Sequence, residues 1–242
     1  MNFGSVTTSL LEGFAVTCLL FILTLILALP LGLLISFCTM SRFKPVRAIF
    51  KVIVWVIRGV PLMLQLFMVY YLPGILSPTS TNLFGQIDKT FYFKFGISGA
   101  GSFIATLIAF VINYACYFSE IFRGGIQSIS KGQYEAGQVL GMTRGQIFNR
   151  VILMQVVKRI LPPVGNEVIT LVKDTALARV IGVVEIIKVA DLFASKALIW
   201  PLFYAGVFYL VFVGALTLLF GCSRKSCPII RCDYGVFGSK RN

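Results

Sequence analysis

Histidine is absent from this chain of 242 residues, and acidic side chains are scarce, nine against 22 Lys and Arg. Without His, and without a C-x-x-C pair, the usual ligand sets for structural zinc are missing. No metal and no cofactor are expected. No G-x-x-x-x-G-K-[ST] loop occurs, which excludes nucleotide hydrolysis through such a site. Paired catalytic carboxylates are lacking outside the oily stretches, so the chain is not expected to be an enzyme. The interleaved aromatic and basic residues of a nucleic-acid platform are missing too, so the formal charge of +13 is not read as a nucleic-acid signal.

Oil fills the space left by these absences. Apolar residues make up 57% of the chain and charged ones 13%, and the mean hydropathy is +0.89. These values belong to a polytopic membrane protein forming one unit, residues 1–242. Five spans are expected, over about 13–41, 52–76, 95–119, 155–179 and 197–223. Each is long enough for a hydrocarbon layer that needs about 20 residues. Only Glu12 precedes the first run, whereas Arg42, Lys44, Arg47 and Lys51 follow it. That polarity is opposite to a cleaved signal peptide, so the first span is expected to be retained. The positive-inside bias then puts the N-terminus outside, residues 42–51 inside, and a basic tail, 224–242, inside. Cys18, Cys38 and Cys116 lie in oily runs, where a thiol is a small apolar filler. Cys222, Cys227 and Cys232 are spaced in the tail without the partners of a metal site.

Between the third and fourth spans lies a polar, helix-forming insert, with a cytoplasmic loop expected over 125–150. Ser130 with Gln133, and Thr143 with Gln146, fit the S/T-x-x-E/Q capping box. Gly141 between them is a natural helix stop. Two short helices with a sharp corner are therefore expected. Ala136, Val139 and Leu140 share a small apolar face on the first, with Lys131, Glu135 and Gln138 outside it. Such a helix can dock into a groove of another protein, or merely cover a lipid boundary.

Polar residues also interrupt the spans. Arg58 near one end of the second span can snorkel, and Pro61 should kink that helix. Glu120 and Arg123, three apart, suit an ion pair at the membrane edge. In the fourth span, Glu167 falls eight residues past Arg159, about 12 Å along a helix axis and close to mid-depth. With Glu167 at 0°, Asp174, Thr170, Asn166 and Lys173 come at about −20°, −60°, −100° and −120°. All five share one arc, the pattern of a helix turning one face to water or a bundle interior. They are either glue for packing or a dimer seam, or the lining of a path that meets the two ends of a zwitterion. Pro162, Pro163 and Gly165 are expected to break the backbone just before this arc. Residues 179–196 read as an external amphipathic gate.

Four strings resemble the permease subunits of bacterial ATP-driven importers for polar amino acids, of the histidine/glutamine/arginine type. Glu135, Ala136, Gly141, Val151 and Leu153 match their E-A-A, three residues, Gly, nine residues, apolar-x-Leu-Pro loop. Gly137 stands for the second Ala, which loosens the helix by about 1 kcal/mol. Met154 stands for the Pro, letting the loop run straight into the next span. Arg58 to Phe67 is similar to R-G-T-P-L-L-V-Q-L-F, with Val60 for Thr. Asn113 to Gly125 resembles A-Y-x-x-E-I-x-R-G-G, with Cys116 and Tyr117 widening what is usually a small-residue stretch, and Leu161 to Leu177 resembles L-P-x-x-x-N-E-x-I-x-L-x-K-D-T-S-L, with Ala176 for Ser.

The resemblance implies a translocation subunit of the bacterial cytoplasmic membrane, working by alternating access. Glu135, Ala136, Gly137, Leu140 and Gly141 would form the coupling helix for two ATPase subunits, and an external binding protein would deliver the solute. A second permease, identical or similar, would complete the complex. Asn166, Glu167 and Thr170 carry over as substrate contacts, beside Lys173 and Asp174 of the same arc. A self-sufficient secondary transporter or channel, with Glu167 as a proton or ion site, is the rival reading. Which amino acid is carried stays open.

Overall fold

The computed structural model describes residues 3–76, 83–87, 89 and 99–225, and among them all regular structure is helical. Helix α1 runs over Phe3–Thr39, α2 over Lys44–Gly59, α3 over Leu62–Leu76 and α4 over Ala100–Gln127. The insert forms α5, Lys131–Val139, and α6, Arg144–Ile147. A π turn, Phe148–Ile152, leads into α7, Leu153–Asp174, and a 3₁₀ turn follows over Thr175–Ile181. Helices α8, Ile186–Ala194, and α9, Trp200–Lys225, complete the order. The expected basic and Cys-bearing tail falls largely outside the described residues.

Three helices, α1, α4 and α9, are long and apolar enough to cross a membrane, and the bent pair α2–α3 supplies a fourth crossing if counted as one. Charge keeps α7 off that count, since Lys158, Arg159, Glu167, Lys173 and Asp174 dilute its apolar residues.

The centre of the fold is the seam between α1 and α4. Along α1 the buried positions include Gly13, Thr17, Leu20, Thr24, Ala28, Gly32 and Ser36, at three- and four-residue spacing. Ser102, Ala105, Thr106, Ala109 and Ala115 face it from α4. Small side chains let the backbones close: a Cβ on Gly32 would lie 2.8 Å from Phe118 Cβ and 2.9 Å from the Ala115 carbonyl oxygen. Around this seam Phe110, Tyr114 and Phe118 of α4 and Val168, Leu171 and Val172 of α7 build one continuous core.

Three expectations change. The second span is two helices meeting at 107°, not one kinked helix. Val60 is extended at the joint, φ −97° and ψ 133°, because a residue before proline avoids the helical region, and Pro61 has no N–H to continue the ladder. Gln65 repairs the break, its Nε2 donating to the carbonyls of Ile57 at 2.7 Å and Val60 at 2.9 Å.

Helix α7 runs unbroken through Pro162 and Pro163. Packing against α4 and α9 overrides the local preference, and Gly165 serves that packing, with Phe220 of α9 3.1 Å from where its Cβ would be.

The Ser130–Gln133 box does not form: Ser130 makes no side-chain cap, and Gln133 Oε1 instead accepts from Gln155 Nε2 at 3.2 Å. The Thr143–Gln146 box does form, with both reciprocal bonds present.

Over residues 179–196 the amphipathic pattern is kept, with Leu192 of α8 exposed while its other face packs inward. Ile186, Val189, Ala190 and Phe193 of α8 are buried in a second apolar cluster with Val6, Leu10 and Ala205. The docking surface is Gly13, whose missing side chain lets Ile186 and Val189 approach α1.

Candidate functional site

Two places gather the residues singled out above. The first is a cavity of about 430 Å³ at the α2–α3 bend, closed by α4 and α7. Its lining includes Arg58, Pro61, Asn113, Tyr114, Tyr117, Glu167, Thr170 and Asp174. Each wall has a local cause. The bend presents the C-terminal end of α2, so Arg58 faces the cavity with its guanidinium 4.9 Å from the Tyr117 ring centroid. Such an approach over an aromatic face holds a cation by about 0.5–2 kcal/mol. The Gln65 amide that mends the bend also accepts from Asn113 Nδ2 at 3.1 Å, tying α3 to α4. Tyr114, one residue on, donates its hydroxyl to Asp174 Oδ2 at 2.6 Å and so fixes α4 to the end of α7.

The polar arc of α7 divides at this cavity. Glu167, Thr170 and Asp174 line it, whereas Asn166 and Lys173 do not. Both are exposed, and their helical phase, about 100–120° away from Glu167, carries them past the cavity edge. Asn166 contributes its carbonyl oxygen to the Thr170 hydroxyl at 3.0 Å. Lys173 lies instead in a shallow groove with Ala176, Ile187, Tyr209 and Leu210.

Arg58 is the main cavity residue that the linear pattern left out of the site. Read as part of one long span it snorkels; with the helix broken at Val60–Pro61 it lines the same cavity as Glu167 and Asp174. The X-Pro step was the available signal. Tyr117 gave none, since an aromatic residue in an apolar run looks like packing, whereas Tyr114 falls within the A-Y-x-x-E-I-x-R-G-G resemblance. Glu120 and Arg123 do pair, at 2.5 Å, on the spacing that predicts it.

The second place is the α5–α6 corner. Helix α5 ends in a Schellman arrangement: Met142 N–H donates to the Gly137 carbonyl at 3.1 Å, and Gly141 N–H to the Gln138 carbonyl at 2.9 Å. Gly141 takes φ +70°, which a side chain would strain. Glu135, Ala136 and Leu140 are exposed, and Val139 and Leu140 keep 88% and 77% of their surface open. Gly137 alone on this helix is buried; a Cβ there would lie 2.6 Å from Ile147 Cγ1. It therefore brings α5 onto α6, a role beyond the weakened helix propensity.

The described residues form apolar helices long enough to cross a membrane, with a charged cavity between them and a bare two-helix corner. The chain matches the family of binding-protein-dependent transport system inner membrane components over residues 28–221 and belongs to it. It is 37% identical over 213 residues to the arginine transport system permease protein ArtQ of Bacillus subtilis, covering 87% of this chain and 88% of that protein. With the histidine/lysine/arginine/ornithine transport system permease protein HisQ of Escherichia coli it shares 32% over 231 residues, covering 93% and 96%. Among solved structures, an amino acid ABC transporter crystallised with histidines superposes with a TM-score of 0.74 at 29% identity, covering 93% of this chain and 99% of that one. The MetNI methionine ABC transporter shares the fold, with a TM-score of 0.62 at 16% identity and coverage of 93% and 99%.

Proposed function

We propose that this chain is the translocation subunit of an ATP-driven importer of polar amino acids, in a bacterial cytoplasmic membrane. The observation that carries the reading is the cavity itself, where Arg58 shares one space of about 430 Å³ with Glu167 and Asp174. A free amino acid carries a carboxylate and an ammonium, so opposed charges can hold both ends at once while Thr170 and Asn113 supply neutral hydrogen bonds. Glu167 meets the ammonium and Arg58 the carboxylate. The names of the curated relatives, among them arginine and histidine/lysine/arginine/ornithine systems, point to the same substrate class.

The rest of the proposal follows the family. Five spans, with α7 as the polar fourth, place the N-terminus outside and the α5–α6 corner in the cytoplasm. Two ATPase subunits dock on α5 through Glu135, Ala136, Leu140 and the turn at Gly141, with Gly137 setting the corner. An external binding protein delivers the solute, and a second permease subunit completes the path. ATP-driven closure moves the corner and exposes the cavity to alternate sides.

Reconstitution tests this. The chain is placed in proteoliposomes with ATPase and binding protein encoded beside it, and uptake of labelled arginine, histidine, lysine and glutamine is followed. Uptake of at least one of them that needs ATP is the expected result. Uptake driven by an ion gradient with this chain alone would overturn it in favour of a self-sufficient transporter using Glu167.

A further inference from the structure

Helix α2 carries a stripe of cations along one side. With Lys44 at 0°, Arg47, Lys51, Trp55 and Arg58 fall at about −60°, −20°, +20° and −40° around the axis. Five residues spaced three or four apart thus share one narrow arc. All five are exposed, Trp55 by 76%. Arg58 ends the stripe at the cavity. The stretch free for another partner is Lys44, Arg47 and Lys51, about 10 Å long, with Trp55 one turn further on. Ile49, Val52, Ile53 and Val56 occupy the arc from about 80° to 180° and are exposed as well. Val54 is the one buried residue of α2, so the helix leans on the bundle by a narrow edge.

The chain itself offers these three cations little counter-charge. No acidic residue lies between Glu12 and Asp88. Among the described residues the ion pairs are Glu120–Arg123 and Asp191–Arg179, and neither involves the three. Glu120 of α4 lies within electrostatic range of Lys51 but is held by Arg123 at 2.5 Å. A second copy would bring a surface of the same sign, since Lys and Arg outnumber Asp and Glu by 22 to nine. The membrane supplies what is missing. A basic stripe beside an exposed apolar arc is the make-up of a helix lying at the bilayer interface, and Trp favours headgroup depth.

We propose that Lys44, Arg47 and Lys51 form a binding surface for the phosphates of anionic phospholipid headgroups, with Ile49, Val52 and Trp55 seated among the adjoining acyl chains. Lipid then anchors α2 from outside the bundle. Because Arg58 stands on the same helix, this tether also steadies one wall of the cavity. The proposal needs only that the chain is a membrane component, as its family is, and it is tested without substrate or transport.

Trp55 is the reporter, and Trp200 is the other tryptophan of the chain. In the full-length chain with Trp200→Phe, which keeps a ring against Phe3, Trp55 emission is followed in phosphatidylcholine vesicles. Rising fractions of the lipid are replaced by dibrominated phosphatidylglycerol or by dibrominated phosphatidylcholine, whose bromines quench an indole only near contact. A Lys or Arg at an anionic surface is worth about fivefold in binding, so the anionic lipid should be preferred at Trp55 by about fivefold or more. The preference should shrink at about 1 M salt, where screening sets in within about 3 Å. It should fall to near one with Lys44→Gln, Arg47→Gln and Lys51→Gln combined. The Trp55→Phe chain, which reports from Trp200 instead, should show no comparable preference. Equal quenching by the two lipids at Trp55, a preference that survives the triple replacement, or one matched at Trp200 overturns the proposal. Trp55 unquenched by either lipid also overturns it, and gives the stripe to a protein partner. The lipid comparison and the salt titration use the chain with its cations intact, so a triple variant lost from the membrane leaves the test decisive.

Discussion

Tyr114 and Asp174 meet at 2.6 Å on the cavity wall, so one hydroxyl fixes the position of one carboxylate. Removing it with Tyr114→Phe forfeits a bond to an acidic group, about 1.5–3 kcal/mol, and should raise the apparent KM for uptake about tenfold or more. Surface expression should stay unchanged, as an immunoblot of the membrane fraction checks. Glu167→Gln keeps the shape but removes the charge, and should weaken uptake of amino acids or change which one is preferred. An unaltered transport profile across labelled amino acids would reduce Glu167 to a packing residue. Helical phase was enough to foresee that Glu167, Thr170 and Asp174 share a face. It could not tell where the face ends, because the cavity edge is drawn by α2 and α4 rather than by α7, and so Asn166 and Lys173 were included with the rest. Arg58 was hidden for a related reason: its surroundings depend on a bend that a hydropathy profile averages away.

At the scale of elements, the α5–α6 corner is held by backbone geometry that the sequence declared plainly. Gly141 is left-handed at φ +70°, and Gly141→Val should strain the turn by about 1–2 kcal/mol and abolish uptake while the protein stays in the membrane. Glu135→Arg, on an exposed position of α5, should abolish uptake with no loss of fold; normal uptake in either variant would count heavily against docking at this corner. Thr143→Ala removes the capping box of α6 and costs about 1 kcal/mol of local stability, readable as faster hydrogen exchange over 144–148. The two boxes looked alike on paper. One was realised and the other displaced because Gln155, on the following helix, offers Gln133 a partner, and a local motif carries no information about a residue 22 positions away. The double proline of α7 teaches the same lesson in reverse, since tertiary packing keeps straight what local preference would break.

At the scale of the whole molecule, composition announced the apolar, membrane-length helices, while the placement of α8 escaped it. Its apolar spacing is that of any amphipathic helix; its burial depends on the groove at Gly13, far away in the chain. Gly13→Ala should press on Ile186, whose Cα would lie 3.0 Å from the new methyl carbon, and lower the melting temperature of the detergent-solubilised protein, since overpacking costs about 1–3 kcal/mol. The seam between α1 and α4 has a larger mechanical meaning. With Gly32 interlocked against Phe118 and Ala115, close packing couples those two longest rods into a single strut. Any rocking of the assembly is then left to the lighter parts hung on either side of it.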